Sequence, residues 1–415
     1  MRNDFVTREH GNFSFHLLSS EKYVQTTIAV RMYVDLDEKV TTGAALLPYI
    51  LLHGSERFRN NFIIQSKLDE EYGAKLGVFI DKKGDKQVLC LSLKFYNQKH
   101  KKIKPEILTI LHDLLTQPLI TKKSVELEKK LHSRRIQNEI FNAYNHSYKK
   151  SLLYLHGNGQ KLYIDKVGSI EDIETWNESK LRNLHQKILH EAPIHLYVIG
   201  DMDEEEVFEQ LSRCLWRGTA GSHHSMIPPK PVKSLIKTYH CEKFQSEHAI
   251  ITACSSTGGI TLKSEKYPAL VVFNRLLGGL PHSRLFMNVR NQLQAAYLIT
   301  SILDAINGLL FIQTVIDPAS EELVLRRIFK EVKSIKEGDC SQKEWRATIK
   351  TLKNSYKLSQ DSPISLIDFH QNGIISGKVR TMTEMIDCID RLEVQDIQEA
   401  AQVFQGYSIY TLGEG

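Results

Sequence analysis

The sequence is poor in cysteine, with six in 415 residues, and none of Cys90, Cys214, Cys241, Cys254, Cys340 and Cys388 stands in a Cys-x-x-Cys pair. That excludes a zinc knuckle and a dithiol redox motif and leaves reduced, mostly buried thiols. Long apolar runs are absent too. Nothing approaches the roughly 18 consecutive residues of a membrane span, and Met1 to His10 hold no stretch resembling the apolar core of a signal peptide. A cytoplasmic protein that engages no membrane is expected. No Gly-x-Gly-x-x-Gly or Walker-type loop follows a strand-like segment, and no Gly-x-Ser-x-Gly elbow occurs, so nucleotide binding and serine hydrolysis have no support. None of the 17 histidines stands one helical turn from another beside a carboxylate, the spacing that turns two imidazoles toward one metal. His185 and His190 are five apart and fall on different helix faces, while His223, His224 and His240 read as surface histidines.

What is present is an ordinary globular composition, 41% hydrophobic and 25% charged, with 54 basic against 49 acidic side chains. Length alone suggests two or three domains, at about 150 residues each. The densest basic run, Lys99-His100-Lys101-Lys102-Ile103-Lys104, has no interleaved aromatics and reads as a solvated face, so nucleic acid is not an expected partner. Acidic clusters at Asp69, Glu70 and Glu71 and at Asp203 to Glu206 read as polar helix faces, the second suiting the positive end of a helix dipole.

The chain reads as two copies of one design. The β-branched segment 26–34 has a counterpart at 248–254, and each is followed by an apolar helix, 44–52 and 267–277, that runs into glycine. Second helices follow at 64–72 and 285–293, with apolar residues at three- and four-residue spacing, and then hairpins turning at Lys83-Gly84-Asp85 and Asn307-Gly308. Each copy ends in a helix and a strand, 194–200 and 408–413. The turn-rich segment 217–231 is the natural linker, dividing the chain into domains 1–216 and 232–415. Hairpins mixed with helices imply an α+β class, with largely antiparallel sheets packed by helices.

Ser255 to Gly259 and Gly278-Gly279 are the nearest candidates for phosphate loops, the latter better read as a left-handed helix stop. One basic and one phenolic side chain, Arg290 and Tyr297, stand in an otherwise apolar segment, the first on a helix and the second where that helix yields to a strand. Together they could hold a carbonyl or carboxylate. The bland alternative is a surface arginine beside a core tyrosine.

The stretch from Leu277 to Tyr297, with Ser283-Arg284-Leu285-Phe286, then Val289-Arg290, and Ala296-Tyr297 seven residues after that arginine, resembles the second-domain signature of the M16 zinc peptidases of insulinase, pitrilysin and mitochondrial-processing-peptidase type. The resemblance implies two homologous M16-type (LuxS/MPP-like) domains in a half-shell that meets another half-shell. Active members carry His-x-x-Glu-His on the helix after the first strand, where this chain has Leu46-Leu47-Pro48-Tyr49-Ile50. Leu46 and Ile50 replace the zinc-binding histidines and Tyr49 the catalytic glutamate. Pro48 adds a helix-disrupting residue. The third ligand, a glutamate seven residues after another, corresponds to Arg135 when counted from Glu128. The segment 46–55 also resembles the inactive bacterial branch known as YfmF, whose partner is a zinc-bearing homologue, YfmH.

The resemblance therefore implies a non-catalytic subunit of a heterodimeric peptide-processing M16 metallopeptidase. Zinc would sit in the partner, with none in this chain, and Arg290 and Tyr297 would contact the peptide substrate. A homodimer is possible without the partner. A scaffold that keeps the M16 fold without a peptidase role is the alternative, and an independent hydrolase with an unrecognised site a third.

Overall fold

The computed structural model describes residues 4–70, 73–96, 102–155, 161–215, 226–244 and 247–413. They fall into two compact units, residues 1–138 with 164–226 and residues 139–163 with 227–415. In chain order the elements of the first half are β1 (Val6–His10), β2 (Phe13–Ser19), β3 (Gln25–Asp35), α1 (Thr41–Leu51), α2 (Asn61–Glu70), β4 (Lys75–Lys83), β5 (Lys86–Tyr96), α3 (Pro105–Thr116), α4 (Lys122–Phe141), α5 (Ala143–Leu153), α6 (Ile170–Ile173), α7 (Glu178–Glu191), β6 (Ile194–Gly200) and α8 (Glu204–Leu215). The strands form a six-stranded sheet ordered β1-β2-β6-β3-β5-β4. Its period-2 alternation sends Ile28, Val30 and Met32 of β3 and Leu89, Leu91 and Leu93 of β5 to one face, where they share a core with α1, α3, α7 and α8.

The second half continues with β7 (Thr238–Lys243), β8 (Ala249–Ser256), α9 (Tyr267–Leu277), a π-helical turn (Phe286–Gln292), β9 (Ala296–Asp304), β10 (Leu309–Ile316), α10 (Glu321–Lys336), α11 (Gln342–Ser359), α12 (Pro363–Ser376), α13 (Met382–Asp390), α14 (Val394–Ala401) and β11 (Tyr407–Gly413). Its sheet is ordered β7-β11-β8-β10-β9. Written beside β2-β6-β3-β5-β4, this order matches strand for strand. The first pair is parallel in each sheet, β2 with β6 and β7 with β11, and the other pairs are antiparallel. The two-copy α+β reading is therefore the observed architecture, with β1 as an unmatched addition. Both hairpin turns fall where expected, and Gly84 and Gly308 take φ of +63° and +70°, which favours glycine.

Several details differ from the sequence reading. The segment 139–163, placed by sequence in the domain 1–216, packs with the second unit. Helix α5 buries only Ser147, Ser151 and Leu152, a small face that lies close on β8, with the Ser147 and Thr252 hydroxyls 2.7 Å apart. The second helix of the later copy is π-helical, so its backbone is wider than the three- and four-residue spacing implied. Gly278 does end α9, but at φ −153° and not in the left-handed region. Glycine is required there by crowding, since a Cβ would come within 2.8 Å of the Ser301 backbone nitrogen. The hydroxyls of Ser255, Ser256 and Thr257 are spent on backbone carbonyls, which leaves that turn no phosphate cradle. Residues 217–225 of the linker, His223 and His224, Glu71, and Lys99 to Lys101 of the basic run lie outside the described residues.

Candidate functional site

Helix α1 is buried at every position but Tyr49, which is half-buried. It sits this deep partly because residue 43 is glycine: a Cβ there would meet the Trp176 indole at 2.5 Å. Leu46 and Ile50, one turn apart, are fully buried in the first core. Tyr49 instead meets α4, its ring centroid 6.4 Å from that of His132 and 3.7 Å from the guanidinium carbon of Arg135. Of the four replaced positions, the fold thus brings Tyr49 and Arg135 into contact and commits Leu46 and Ile50 to packing.

Arg135 and Tyr49 belong to a longer chain of polar contacts. Arg135 Nη1 donates to Glu128 Oε2 at 3.1 Å, and His53 Nε2 lies 2.9 Å from Glu128 Oε1. The Glu128 side chain is only 6% exposed. Burial by itself raises its carboxyl, but the hydrogen bonds from His53 and Arg135 outweigh that and hold it below the ordinary carboxylate range. His132 Nε2 is engaged 2.8 Å from the Val167 carbonyl oxygen.

These residues do not fit zinc. Leu46 and Ile50 offer no lone pair, and a fixed guanidinium at position 135 would repel a dication. Among the described residues, no group of three or more His, Cys, Asp or Glu side chains could hold a metal ion. The sequence points to Arg135 but not to His53, which stands just past α1 with no spacing signal linking it to Glu128, 75 residues away.

In the second unit, Arg290 and Tyr297 flank the junction of the π-helical turn and β9. Arg290 is exposed, its guanidinium carbon 4.9 Å from the Phe286 ring centroid. Tyr297 is 57% exposed, with its ring centroid 4.4 Å from that of His248. It is therefore not a core tyrosine, and among the described residues neither polar end makes a hydrogen bond. Arg284, six residues earlier, is the opposite case. It is 5% exposed, and its guanidinium donates to Ser334 Oγ at 2.8 Å, to Glu344 at 3.2 and 3.3 Å and to the Asp339 carbonyl, tying the turn to α10 and α11. One motif thus contains a structural arginine and a free one.

Residues 175–352 match the family model described as the peptidase M16 inactive domain. Over 97% of its length the chain is 25% identical to the "Probable inactive metalloprotease YmfF" of Bacillus subtilis, covering 96% of that protein. That relative is named YmfF, not YfmF. The chain is also 25% identical to the "Uncharacterized zinc protease YmxG" of the same organism, over 40% of its own length and 41% of that protein. A conserved protein from Enterococcus faecalis superposes with a TM-score of 0.88 at 23% identity, covering 99% of both chains. A peptidase M16 inactive domain from Pseudomonas fluorescens does so at 0.84 and 14%, covering 99% of this chain and 98% of that one. Part of the chain, residues 175–352, thus resembles the M16 inactive domain, and nearly its full length is similar to a protein named as a probable inactive metalloprotease.

Proposed function

We propose that this chain is the non-catalytic subunit of a heterodimeric M16 peptidase, pairing in the cytoplasm with a zinc-bearing homologue and lending Arg290 and Tyr297 to the peptide in the partner's site. The observation that carries the reading is the contrast between the two units. Where active relatives bind metal, aliphatic side chains and an engaged arginine stand. In the second unit a guanidinium and a phenol are held at the surface with their donors unspent. A scaffold has no evident need for the second feature. That one organism has both an inactive-named and a zinc-protease-named relative supports pairing of unlike chains.

A guanidinium presents a rigid fork of donors and a phenol one more, so the pair can bind a backbone carbonyl or terminal carboxylate of a peptide and fix its register. No bond is broken in this chain. Its contribution to turnover is positioning, which counts only when the partner's metal site is present.

Co-expression with a zinc-bearing M16 homologue from the same genome, followed by size-exclusion chromatography at micromolar concentration, tests the pairing. A single heterodimer peak is expected, with an interface of at least the roughly 1,200 Å² of specific complexes. Two separate peaks would favour the scaffold reading.

A further inference from the structure

Helices α10 and α11 treat their basic residues differently. On α10, three of the five basic residues, Arg326, Arg327 and Lys333, have an acid one turn away, in Glu322, Glu331 and Glu337. Helix α11 carries five basic residues and one acid. The acid, Glu344, is already engaged, closing the helix N-terminus with Ser341 and accepting from Arg284. The basic residues Lys343, Arg346, Lys350, Lys353 and Lys357 are spaced by three, four, three and four. That spacing puts all five on one face, within an arc of about 80°. Like charges three and four apart destabilise a helix, so this stripe works against the element that bears it.

Only Lys353 is neutralised, by both oxygens of Asp390 on α13 at 2.6 Å. Lys343, Arg346, Lys350 and Lys357 are exposed and make no ion pair among the described residues. Arg346, Lys350, Lys353 and Lys357 line a groove of about 320 Å³ together with half-buried Trp345 and Ile349. All of these residues belong to α11, so the groove is an open hollow along one helix face, with three unneutralised cations, Arg346, Lys350 and Lys357, beside half-buried Trp345 and Ile349.

We propose that this groove on α11 docks an acidic polypeptide segment whose carboxylates recur about one helical turn apart. The stripe from Lys343 to Lys357 is about 21 Å long, and its charges are separated by about one turn, the repeat of an opposing Glu-rich helix face. A single aromatic side chain offers too few platforms to stack successive bases of a nucleic acid strand. A membrane would meet little apolar surface, because Thr348 and Leu352 are buried, Trp345, Ile349 and Tyr356 pack toward the core, and of the large apolar side chains on α11 Leu358 alone is exposed.

The test uses the full-length chain and a fluorescein-labelled helical peptide with Glu at every fourth position, read by anisotropy. Binding is expected at low salt, at least about tenfold weaker near 0.3 M salt, where screening is stronger, and absent for the same peptide with Gln in place of Glu. Arg346→Gln/Lys350→Gln/Lys357→Gln should weaken binding at least about tenfold with an unchanged melting temperature, and R346K/K350R/K357R should retain it. No binding, or binding indifferent to the Gln variant, overturns the proposal. So does tighter capture of oligothymidylate or phosphatidylserine vesicles through the same three residues.

Discussion

The guanidinium of Arg135 lies against the ring of Tyr49, 3.7 Å from its centroid, while one of its nitrogens holds the buried carboxylate of Glu128. A permanent cation that needs no metal thus occupies the meeting point of α1 and α4. Cation–π contact and a charge-assisted hydrogen bond from the same group make position 135 structural.

Arg135→Ala should therefore destabilise the first unit by about 1–2 kcal/mol, because Glu128 keeps only His53 as a partner and Tyr49 loses its cover. Lysine should restore only part of this, since it lacks the planar fork. Denaturant titration checks both variants, and wild-type stability in Arg135→Ala would contradict the account.

Acid should act through the same group. The folded carboxyl of Glu128 lies below its unfolded value of about 4.3, so its contribution to stability is complete above that pH and is lost as pH falls through the folded value. Between about pH 5 and pH 3 the wild type should lose more stability than Glu128→Gln. Equal losses in parallel melts would show that the clamp is not linked to folding.

Metal content should be negligible. With Leu46, Ile50 and Arg135 in place of ligands, the purified chain should hold no stoichiometric zinc after dialysis and should not cleave unstructured peptides alone. Elemental analysis finding about one zinc per chain, lost on mutating a histidine, would overturn this.

The two arginines of the 284–290 motif should separate cleanly. Arg284→Ala breaks a buried network around Glu344 and should cost on the order of 2–3 kcal/mol. Arg290 is exposed, and Arg290→Ala should stay within about 0.5 kcal/mol of wild type. Similar destabilisation by both would assign Arg290 a packing role.

The tandem repeat was legible because strand alternation, Asn307-Gly308 and the glycine-ended helices are local signals, and the matched strand orders bear it out. Helix α5 was not legible as part of the second unit, since its buried face of Ser147, Ser151 and Leu152 gives no strong apolar period. The π-helical turn at Phe286–Gln292 has the same residues an α-helix would have, and only backbone geometry distinguishes them. At the replaced site, Leu46 and Ile50 read directly as non-ligands. The His53–Glu128–Arg135–Tyr49 chain joins distant segments that no spacing rule connects. The α11 stripe stands in the sequence at spacings of three and four, but only the fold shows that Lys353 finds an acid, Asp390, while Arg346, Lys350 and Lys357 do not.

On the proposed function, Arg290 and Tyr297 serve chemistry performed in another chain. Steady-state kinetics of the purified heterodimer, with melting temperature and elution volume measured on the same samples, addresses it most directly. Losing one hydrogen bond to the reacting peptide should cost about 1–3 kcal/mol, so Arg290→Ala and Tyr297→Phe should each lower kcat/KM by about 5- to 150-fold in an intact complex of unchanged stability. Unchanged kcat/KM in both variants, or a loss of assembly in place of turnover, would contradict the account.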